Sequence, residues 1–394
     1  MSALAIAAVV VLAIVVAALG YAIVALACVI AFGARRARFA LQVARQPGLG
    51  GSAAADQPAI TILKPVAGIE PGLFENLSSF CAQDYPQFQV VFGIATSSDP
   101  AAAVIADVAG AYPKVATACA AGGPRSAPNL KVARLLNMLP LATHDILAVS
   151  DADTHVEREY LRALAHAFAR ESAGAVTCLY RGAPQAGGIA SDLAAMQIDE
   201  QFIPSVLVAA LGGVRFCLGA TMAVRRKVLE AFGGFEALGP YLADDQKLGE
   251  FAAAKGHDVV LAPYVVEHRV DEPDLPALWS HELRWARTAR AARPLGYSGY
   301  FLTFAWPWAL LFLILQGPTV LATALLATAL ALRVALHYCA RAALDARSRD
   351  RVWLFPIRDL LGLAVWACSL FGRRVRWRDR DLVIDAQGRI VAAE

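Results

Sequence analysis

The sequence has few charged residues and almost no net charge. Only 18% of its 394 residues are charged and the formal net charge is +3, whereas soluble domains are about 25% charged. A net charge this small gives no reason to expect a nucleic-acid partner. Hydrophobic residues make up 58% of the chain, which excludes an intrinsically disordered protein. The composition therefore predicts a membrane protein with one soluble domain.

The sequence also lacks any CxxC pair, although it has seven cysteines. Their number is odd, and at least two of them fall inside apolar runs. This pattern is typical of reduced, packed thiols, and it predicts that most of the chain faces a reducing compartment. A zinc site is not expected. The cysteines are Cys28, Cys81, Cys119, Cys178, Cys217, Cys339 and Cys368.

An uncharged apolar run from Leu4 to Phe32 lies near the N-terminus. It is longer than the core of a signal peptide and long enough to cross a bilayer. Arginines follow it at once and no basic residue precedes it. The positive-inside rule then places the N-terminus outside and the following chain in the cytoplasm. We predict a retained anchor over residues 1–34 and a linker over 35–57.

Further apolar segments follow after residue 299. Tyr300–Leu332 is too long for one comfortable span and is broken by Gly317-Pro318, so it predicts two transmembrane helices within residues 299–338. A basic loop and another apolar stretch occupy 339–372, and a basic tail occupies 373–394.

The apolar stretch Val352–Phe371 has two possible placements. It contains Arg358-Asp359 and is followed by Arg373, Arg374 and Arg376, which argues against an outside tail. The sequence leaves open whether this stretch crosses the membrane or lies in its interface.

Residues 58–275 alternate between strand and helix signals. This rhythm predicts an α/β domain with a mostly parallel, Rossmann-like sheet and helices on both faces. The predicted strands are Ala59–Lys64, Gln87–Ala95, Val115–Cys119, Asp145–Ser150, Ala175–Leu179 and 216–224. The predicted helices include Pro71–Gln83, Pro100–Tyr112, Leu130–Leu136 and Glu157–Arg170.

Two aspartates one residue apart, Asp151 and Asp153, end the apolar strand DILAVS. Ligands bind outside the carboxyl ends of strands in open α/β sheets. Paired carboxylates there suit a hard divalent cation such as Mg²⁺ or Mn²⁺. A turn or a helix cap would use aspartate equally well.

Other polar residues occur at comparable positions. Asp99 follows the second predicted strand, although it is also a suitable N-cap before Pro100. Asn129 and Lys131 precede the DxD pair, and the lysine can offset diphosphate charge. Asp244-Asp245 opens a helix, where carboxylates are favoured by the helix dipole; capping alone would explain it.

A basic helix is predicted over residues 276–298 and contains His281, Arg284 and Trp285. Its arginines recur at three-residue spacing (Arg284, Arg287, Arg290 and Arg293). This pattern is typical of a helix that lies on the anionic headgroups of a membrane, or of a helix whose charged face is exposed to solvent. Gly187–Leu211 is a second amphipathic segment, either admitting a lipid or packing as an ordinary helix.

The ordered residues Asp99, Asp151-x-Asp153, Asp244-Asp245 and His281-x-x-Arg284-Trp285 resemble the D, D, D, (Q/R)xxRW signature of membrane-bound GT-A glycosyltransferases. The stretches ILKPVAGIEPGLFENLSSFCAQDYP, NLKVARLLNMLPLATHDILAVSDAD and GATMAVRRKVLEAFGGFEAL look more narrowly like the ceramide glucosyltransferase family. VTCLYRG and HELRWARTARAARPLGY resemble its bacterial branch, which includes the glycosyltransferase of hopanoid biosynthesis.

The resemblance implies a role for each matching residue. Asp99 would bind the uracil end of a UDP-sugar, and Asn129 and Lys131 would line its diphosphate. Asp151 would contact the ribose or metal region and Asp153 would ligate the cation. Asp245 would be the general base, with Asp244 beside it. Arg284 and Trp285 would close over the diphosphate and the acceptor. His281 replaces the Gln or Arg of the pattern.

The implied activity is inverting transfer of a hexose from a UDP-sugar to the hydroxyl of a membrane lipid, at the cytoplasmic face of a bacterial inner membrane. Glucose on ceramide and N-acetylglucosamine on a hopanoid polyol both fit these motifs. The alternatives are a processive polysaccharide synthase of the same fold and a catalytically silent membrane scaffold. A synthase would need more transmembrane helices for a channel.

Overall fold

A computed structural model describes residues 3–44, 57–185, 187–377 and 380–393. The chain forms two compact units. The sheet unit comprises Arg36–Arg181, Gly213–Asp271 and Leu382–Glu394, and the helical unit comprises Met1–Arg35, Gly182–Gly212 and Glu272–Asp381.

An eight-stranded sheet organises the sheet unit. Its strands are β1 (Ile60–Pro65), β2 (Phe88–Ile94), β3 (Ala116–Ala121), β4 (Ile146–Val149), β5 (Thr154–His155), β6 (Ala173–Pro184), β7 (Met222–Arg225) and β8 (Asp258–Val270). Their spatial order is β3-β2-β1-β4-β7-β6-β8-β5. Strands β3, β2, β1 and β4 are parallel, and β7 runs antiparallel to β4 and β6. The carboxyl ends of β1, β2 and β4 therefore share one edge of the sheet.

The helices, in chain order, are α1 (Ala3–Ala44), α2 (Leu73–Cys81), α3 (Ala101–Ala111), α4 (Leu130–Met138), α5 (Tyr160–Phe168), α6 (Ile189–Gln197), α7 (Ile203–Ala210), α8 (Arg226–Ala231), α9 (Asp244–Ala254), α10 (Leu275–Ala292), α11 (Pro294–Ser298), α12 (Ala305–Gln316), α13 (Val320–Leu344) and α14 (Phe355–Ser369). A π-helical turn over Ile198–Phe202 joins α6 to α7. Short strands β9 (Arg374–Trp377), β10 (Arg380–Ile384) and β11 (Ile390–Ala393) end the chain, and β10 pairs antiparallel with β11.

One apolar core holds the sheet unit together. Side chains of α4, α8 and α9 form a single buried cluster with those of β1, β2, β4 and β7. Every residue of β1 is buried, as is typical of a strand whose two faces are both covered. The predicted α/β architecture is confirmed.

Among the residues that the structure describes, three helices are long and apolar enough to cross a membrane by length and composition: Ala3–Val43, Val320–Leu344 and Val352–Ser369. The pair Pro294–Thr303 and Ala305–Gln316 meets at 61° and would make a fourth span if it acts as one. These helices fit a membrane protein. Alanines and large apolar side chains of α1, α12 and α13 share one buried cluster, and small residues of this kind allow close helix packing in membranes.

The charges inside the last apolar segment are buried and paired. Arg358 on α14 is fully buried and donates from Nη2 to Oε2 of Glu282 on α10 over 2.7 Å. The neighbouring Asp359 accepts from Nε of Arg333 and from the indole of Trp306, both over 2.9 Å. Each charge therefore has the partner that a low-dielectric environment requires.

The acidic residues of Gly187–Leu211 do not form a solvated face, as the packed-helix alternative expects; a lipid-admitting role for this segment stays a prediction. Asp192 and Glu200 are buried. Glu200 accepts from Arg333 over 2.7 Å, and Asp192 lies 2.6 Å from Nε of Arg351. The alternative, a packed helix, is what the structure shows. Sequence periodicity missed this because it cannot reveal a distant cationic partner.

Two other predictions differ from the structure. The N-terminal helix continues to Ala44, beyond the predicted start of the linker at residue 35, because the stretch after Arg35 is rich in good helix formers. The rest of the predicted linker, residues 45–56, lies outside the described residues. Residues 216–221 do not extend β7, which begins at Met222.

Candidate active site

A hydrogen-bonded turn after β4 carries the two aspartates of the DxD pair. Lys64 on β1 is fully buried, and its Nζ donates to the carbonyl of Asp151 and, over 3.0 Å, to Oγ1 of Thr154. Thr154 Oγ1 itself donates to the Asp151 carbonyl over 2.6 Å. Because buried ammonium groups are costly without partners, these bonds tie the turn firmly to β1.

Lys131 connects two carboxylates from distant parts of the sequence. Its Nζ lies 2.7 Å from Oδ1 of Asp151 and 3.4 Å from Oδ2 of Asp244. Asn129 caps α4, because its Oδ1 accepts from the backbone N–H of Lys131 over 2.9 Å. Its Nδ2 donates to the Tyr241 carbonyl over 2.9 Å and lies 3.4 Å from Oδ1 of Asp244. Four predicted site residues therefore meet at one point.

Asp245 lies beside this group, and a glycine leaves room between the carboxylates. A Cβ atom on Gly219 would lie 2.6 Å from Oδ2 of Asp151 and 3.6 Å from Oδ2 of Asp245. Asp245 Oδ1 accepts from the backbone N–H of Gln246 over 2.7 Å, so its Oδ2 is the oxygen toward Gly219. Only a residue without a side chain preserves this space.

Asp153 pairs with a histidine from another strand. Nδ1 of His268 on β8 lies 3.4 Å from Oδ1 of Asp153. The ring of His268 contacts that of Tyr180 on β6, with centroids 5.6 Å apart. The DxD turn is thus bordered by β8 as well as by β1.

The local charges shift several pKa values. Burial, reinforced by the neighbouring carboxylate of Asp244, raises the pKa of Asp245 to about 7. Burial opposes the charge of Lys131, but the attraction of Asp151 and Asp244 outweighs it and raises the lysine pKa. Burial lowers the pKa of Lys64 to about 7. Asp245 can therefore accept a proton near neutral pH, while Lys131 stays cationic.

Asp99 stands apart from this group. Its Oδ1 accepts from the backbone N–H of Ala101 over 3.0 Å and from that of Gly68 over 3.1 Å. It follows β2, which is two places from β4 in the sheet, a separation of about 10 Å. The carboxylate caps α3 and holds the loop after β1, as the capping alternative expected; its role toward a nucleotide stays a prediction.

The remaining predicted residues lie on α10, in the helical unit. His281 Nδ1 contacts Oε1 of Glu272, and the His281 and Trp285 rings meet edge-on with centroids 4.5 Å apart. Arg284 and Trp285 share a helix face with His281, since neighbours on a helix are three and four residues apart. Farther along α10, Arg287 and Arg290 donate to the carbonyls of Arg374 and Gly372, so those two arginines are not simply a solvated face.

Two carboxylates beside Gly219 are of the chemical type that a hard divalent cation prefers. The oxygens of Asp151 and Asp245 border a space that a Cβ would fill, and carboxylates are the ligands that Mg²⁺ and Mn²⁺ prefer. Within the described part of the chain, no group of three or more His, Cys, Asp or Glu side chains is arranged to hold a metal ion by itself. The assignment of Asp151 and Asp153 as metal ligands therefore stays a prediction.

The model of the family described as "Glycosyl transferase family 21" matches residues 10–390. The chain belongs to glycosyl transferase family 21. Ceramide glucosyltransferase 3 of Caenorhabditis elegans is 21% identical to it over 237 residues, 60% of this chain and 52% of that protein. The beta-monoglucosyldiacylglycerol synthase of Trichormus variabilis is 28% identical over 237 residues, 58% of this chain and 48% of that protein.

The family 21 chain spans about half the length of these curated relatives. A solved mannosyltransferase from Pyrobaculum calidifontis, in complex with GDP-Man and Mn2+, superposes with a TM-score of 0.52 at 21% identity, over 89% of this chain and 99% of that one. This likeness agrees with the GT-A fold that the sequence predicts, and it shows the fold alone.

Three residues of this family 21 site escaped the sequence analysis. Lys64 ends a predicted strand but carries no motif, and His268 lies in a strand that the sequence analysis did not predict. Gly219 is one of several small residues in an apolar run. The position of Lys64 just before Pro65, at the end of a buried strand, is the one sequence signal that could have singled it out. The valine-rich run 259–266 could likewise have predicted β8.

Proposed function

We propose that this family 21 chain is an inverting glycosyltransferase, transferring a hexose from a UDP-sugar to the hydroxyl of a membrane lipid. The convergence of Asp151, Asp244 and Asp245 around Lys131 at the carboxyl edge of the sheet carries the proposal. This arrangement places the ammonium group of Lys131, which can stabilise the negative charge on the leaving diphosphate, beside carboxylates that can take a proton from the acceptor hydroxyl. The relatives named as ceramide glucosyltransferase and glucosyldiacylglycerol synthase support a lipid as the acceptor.

Asp245 is the residue we assign as general base. A lipid hydroxyl is far too weak an acid to ionise at neutral pH, so a carboxylate must take its proton as the new bond forms. Burial and Asp244 raise the pKa of Asp245 to about 7, close to the optimum for a base at neutral pH. With no enzyme nucleophile in this assignment, transfer occurs in one displacement and inverts the anomeric carbon.

Lys131 is assigned to the charge that develops on the leaving diphosphate. Fixed cations stabilise such charge strongly because they need no reorganisation during the reaction. Asp151 and Asp153 would hold Mg²⁺ or Mn²⁺, which would supply further positive charge to the diphosphate. Following the family resemblance, we assign Asp99 and Asn129 to donor binding, and Arg284, Trp285 and His281 to the diphosphate and the acceptor.

We place the enzyme in a bacterial inner membrane, with its N-terminus outside and the sheet unit in the cytoplasm. The arginines near the C-terminal end of α1 and those after α13 support this orientation through the positive-inside rule. UDP-sugars are cytoplasmic donors, which agrees with a cytoplasmic site.

The proposal is tested with the full chain in detergent, supplied with UDP-glucose or UDP-N-acetylglucosamine and with ceramide, diacylglycerol or a hopanoid polyol. We expect UDP release that depends on lipid, a mass-spectrometric product with one added hexose, and a β-linkage by NMR from an α-linked donor. A ladder of longer products would establish a polysaccharide synthase instead. Absence of any UDP release with every pair would establish a silent scaffold.

The Asp245→Asn variant tests whether Asp245 acts as the general base or binds the UDP-sugar. It should abolish transfer while the Kd for UDP-sugar, measured by calorimetry, stays within a few-fold of the unchanged protein. Asp107→Asn, an exposed aspartate on α3, is the matched control and should leave both quantities unchanged. Equal loss of binding and turnover in Asp245→Asn would show that Asp245 binds the donor and is not the base.

Removal of divalent metal is a second test. Chelation with EDTA should abolish transfer, and Mg²⁺ or Mn²⁺ should restore it, because the diphosphate would lose a counter-charge. Full activity after exhaustive chelation would contradict the assignment of Asp151 and Asp153 as metal ligands.

A further inference from the structure

The residues before and after α14 contact segments of the chain that lie on the same side of the membrane. Before α14, Nε of Arg351 lies 2.6 Å from Oδ2 of Asp192 on α6. After α14, Gly388 accepts a hydrogen bond from the backbone N–H of Leu242 over 3.2 Å, and Ile390 donates to the carbonyl of Pro240 over 2.8 Å. The chain therefore joins the sheet unit shortly after α14, from Leu382 onward.

The segment that holds Asp192 cannot have crossed the bilayer. It runs from α6 to α7 and connects β6 with β7, and these strands pair directly through Ala175 and Val224. A single crossing would place the two paired strands on opposite faces of the membrane. Asp192, and with it Arg351, therefore lies on the same side as the sheet unit.

The number of crossings between α10 and β10 must then be even. Three candidates lie between them, namely α12, α13 and α14. α12 and α13 share a buried apolar cluster with α1 and are joined by the short turn 317–319, so they suit an outward and a return crossing. α14 is the candidate left over.

The helix beside α14 also argues against a crossing. Glu282 on α10 pairs with Arg358 near the start of α14, and Arg290 on α10 donates to Gly372 just after its end, over 2.6 Å. α10 therefore runs along α14 from one end to the other. If α14 crossed the bilayer, α10 would carry Arg284, Arg287 and Arg290 into the hydrocarbon with it, at a high cost in free energy.

The outer face of α14 is apolar from end to end. Trp353, Ile357, Leu360 and Phe371 are 60%, 54%, 51% and 74% exposed. The first three are spaced by four and three residues, so they share one helical face. Exposed arginines flank both ends, including Arg349 and Arg373, and arginines at such positions attract anionic headgroups.

We propose that α14, with the preceding turn Val352–Leu354, lies in the interface of the membrane and does not cross the bilayer. Its apolar face contacts acyl chains, and the arginines at its ends contact lipid phosphates. The described part of the chain then crosses the membrane three times, with α1, α12 and α13. This inference rests on the membrane location proposed above.

The test places single cysteines in the full-length chain on either side of α14. The background carries Cys119→Ser and Cys368→Ser, because these two thiols are exposed. The variants are Arg349→Cys before α14, Arg373→Cys after it, and Pro318→Cys in the turn between α12 and α13. A membrane-impermeant maleimide is applied to spheroplasts and to inverted membrane vesicles.

Cysteines at 349 and 373 should both be labelled in inverted vesicles and protected in spheroplasts, while the cysteine at 318 should show the opposite pattern. As a second measurement, green fluorescent protein fused after Glu394 should fluoresce, and alkaline phosphatase fused there should be inactive. Labelling of 349 and 373 from opposite sides, or an active phosphatase fusion, would overturn the proposal.

These outcomes are independent of catalysis. A crossing α14 in a protein that still transfers hexose to lipid would overturn the topology alone. Correct labelling in a protein that releases no UDP would refute the proposed function and leave the surface helix in place.

Discussion

The ion pair between Glu282 and Arg358 gives a quantitative test of how the helical unit is held together. Arg358 is fully buried and Glu282 nearly so, and two guanidinium nitrogens contact the two carboxylate oxygens. Removing one partner leaves an uncompensated buried charge, which costs about 3–5 kcal/mol. Replacing both partners with apolar residues of similar volume is often neutral or stabilising.

We therefore expect Glu282→Leu and Arg358→Met each to lower the free energy of unfolding by about 3–5 kcal/mol. The double variant should recover most of that loss. Arg358 also donates to the Leu193 carbonyl over 3.2 Å, so Arg358→Met should be the more damaging single change. The corresponding fall in Tm is on the order of 10 °C for each single variant.

The assay is thermal unfolding of the full chain in detergent, followed by intrinsic fluorescence and completed as a double-mutant cycle. Glu250→Leu is the matched control, because Glu250 pairs with Lys247 three residues away at a partly exposed site and such pairs contribute at most about 1 kcal/mol. A double variant no more stable than either single variant, or a Glu282→Leu variant no less stable than Glu250→Leu, would refute the reasoning.

Two further predictions concern the sheet unit. Asp245 has a pKa of about 7 in the folded chain against an ordinary value of 3.8, so its burial lowers the free energy of unfolding progressively as pH rises between these two values. Asp245→Asn should therefore raise Tm at pH 8 and leave it nearly unchanged at pH 4; a gain independent of pH would contradict this. Gly219→Ala introduces a Cβ 2.6 Å from Asp151 Oδ2, and we expect it to weaken UDP-sugar binding roughly ten- to a hundredfold by calorimetry. The control Gly110→Ala, whose Cβ would meet nothing within 4 Å, should leave binding unchanged, and equal effects of the two would show that the space at Gly219 is not used.

Local pattern was a good guide wherever one segment determines its own structure. The apolar strands before residue 180, the helix that begins at Asp244 and the break between α12 and α13 agree with the structure, because periodicity and turn residues act over a few positions. Asn129 and Lys131 were singled out by their position before the DxD pair and by the family resemblance, and in the structure the asparagine caps α4 next to the lysine.

Local sequence pattern was not enough where the burial and role of a residue depend on a partner that is distant in the sequence. The acids of Gly187–Leu211 looked like the polar face of a surface helix, yet Glu200 pairs with Arg333 and Asp192 with Arg351. Similarly, Asp99 and Asp151 both follow parallel strands, but only Asp151 meets Lys131. The residues next to a carboxylate in the sequence do not show whether it is solvated or buried against a cation on another helix.

The amino-acid sequence by itself determined that this is a membrane protein with an α/β domain, because bulk hydrophobicity and hydrophobic period depend only on composition and short-range order. The tertiary structure alone decided that Lys131 lies between Asp151 and Asp244 and that Arg358 meets Glu282. Those pairs join residues tens of positions apart, and which of them meet depends on how whole strands and helices dock. A charge can be buried without a large penalty only when such a partner is present, so the same aspartate or arginine is a surface residue in one packing and a structural or catalytic one in another.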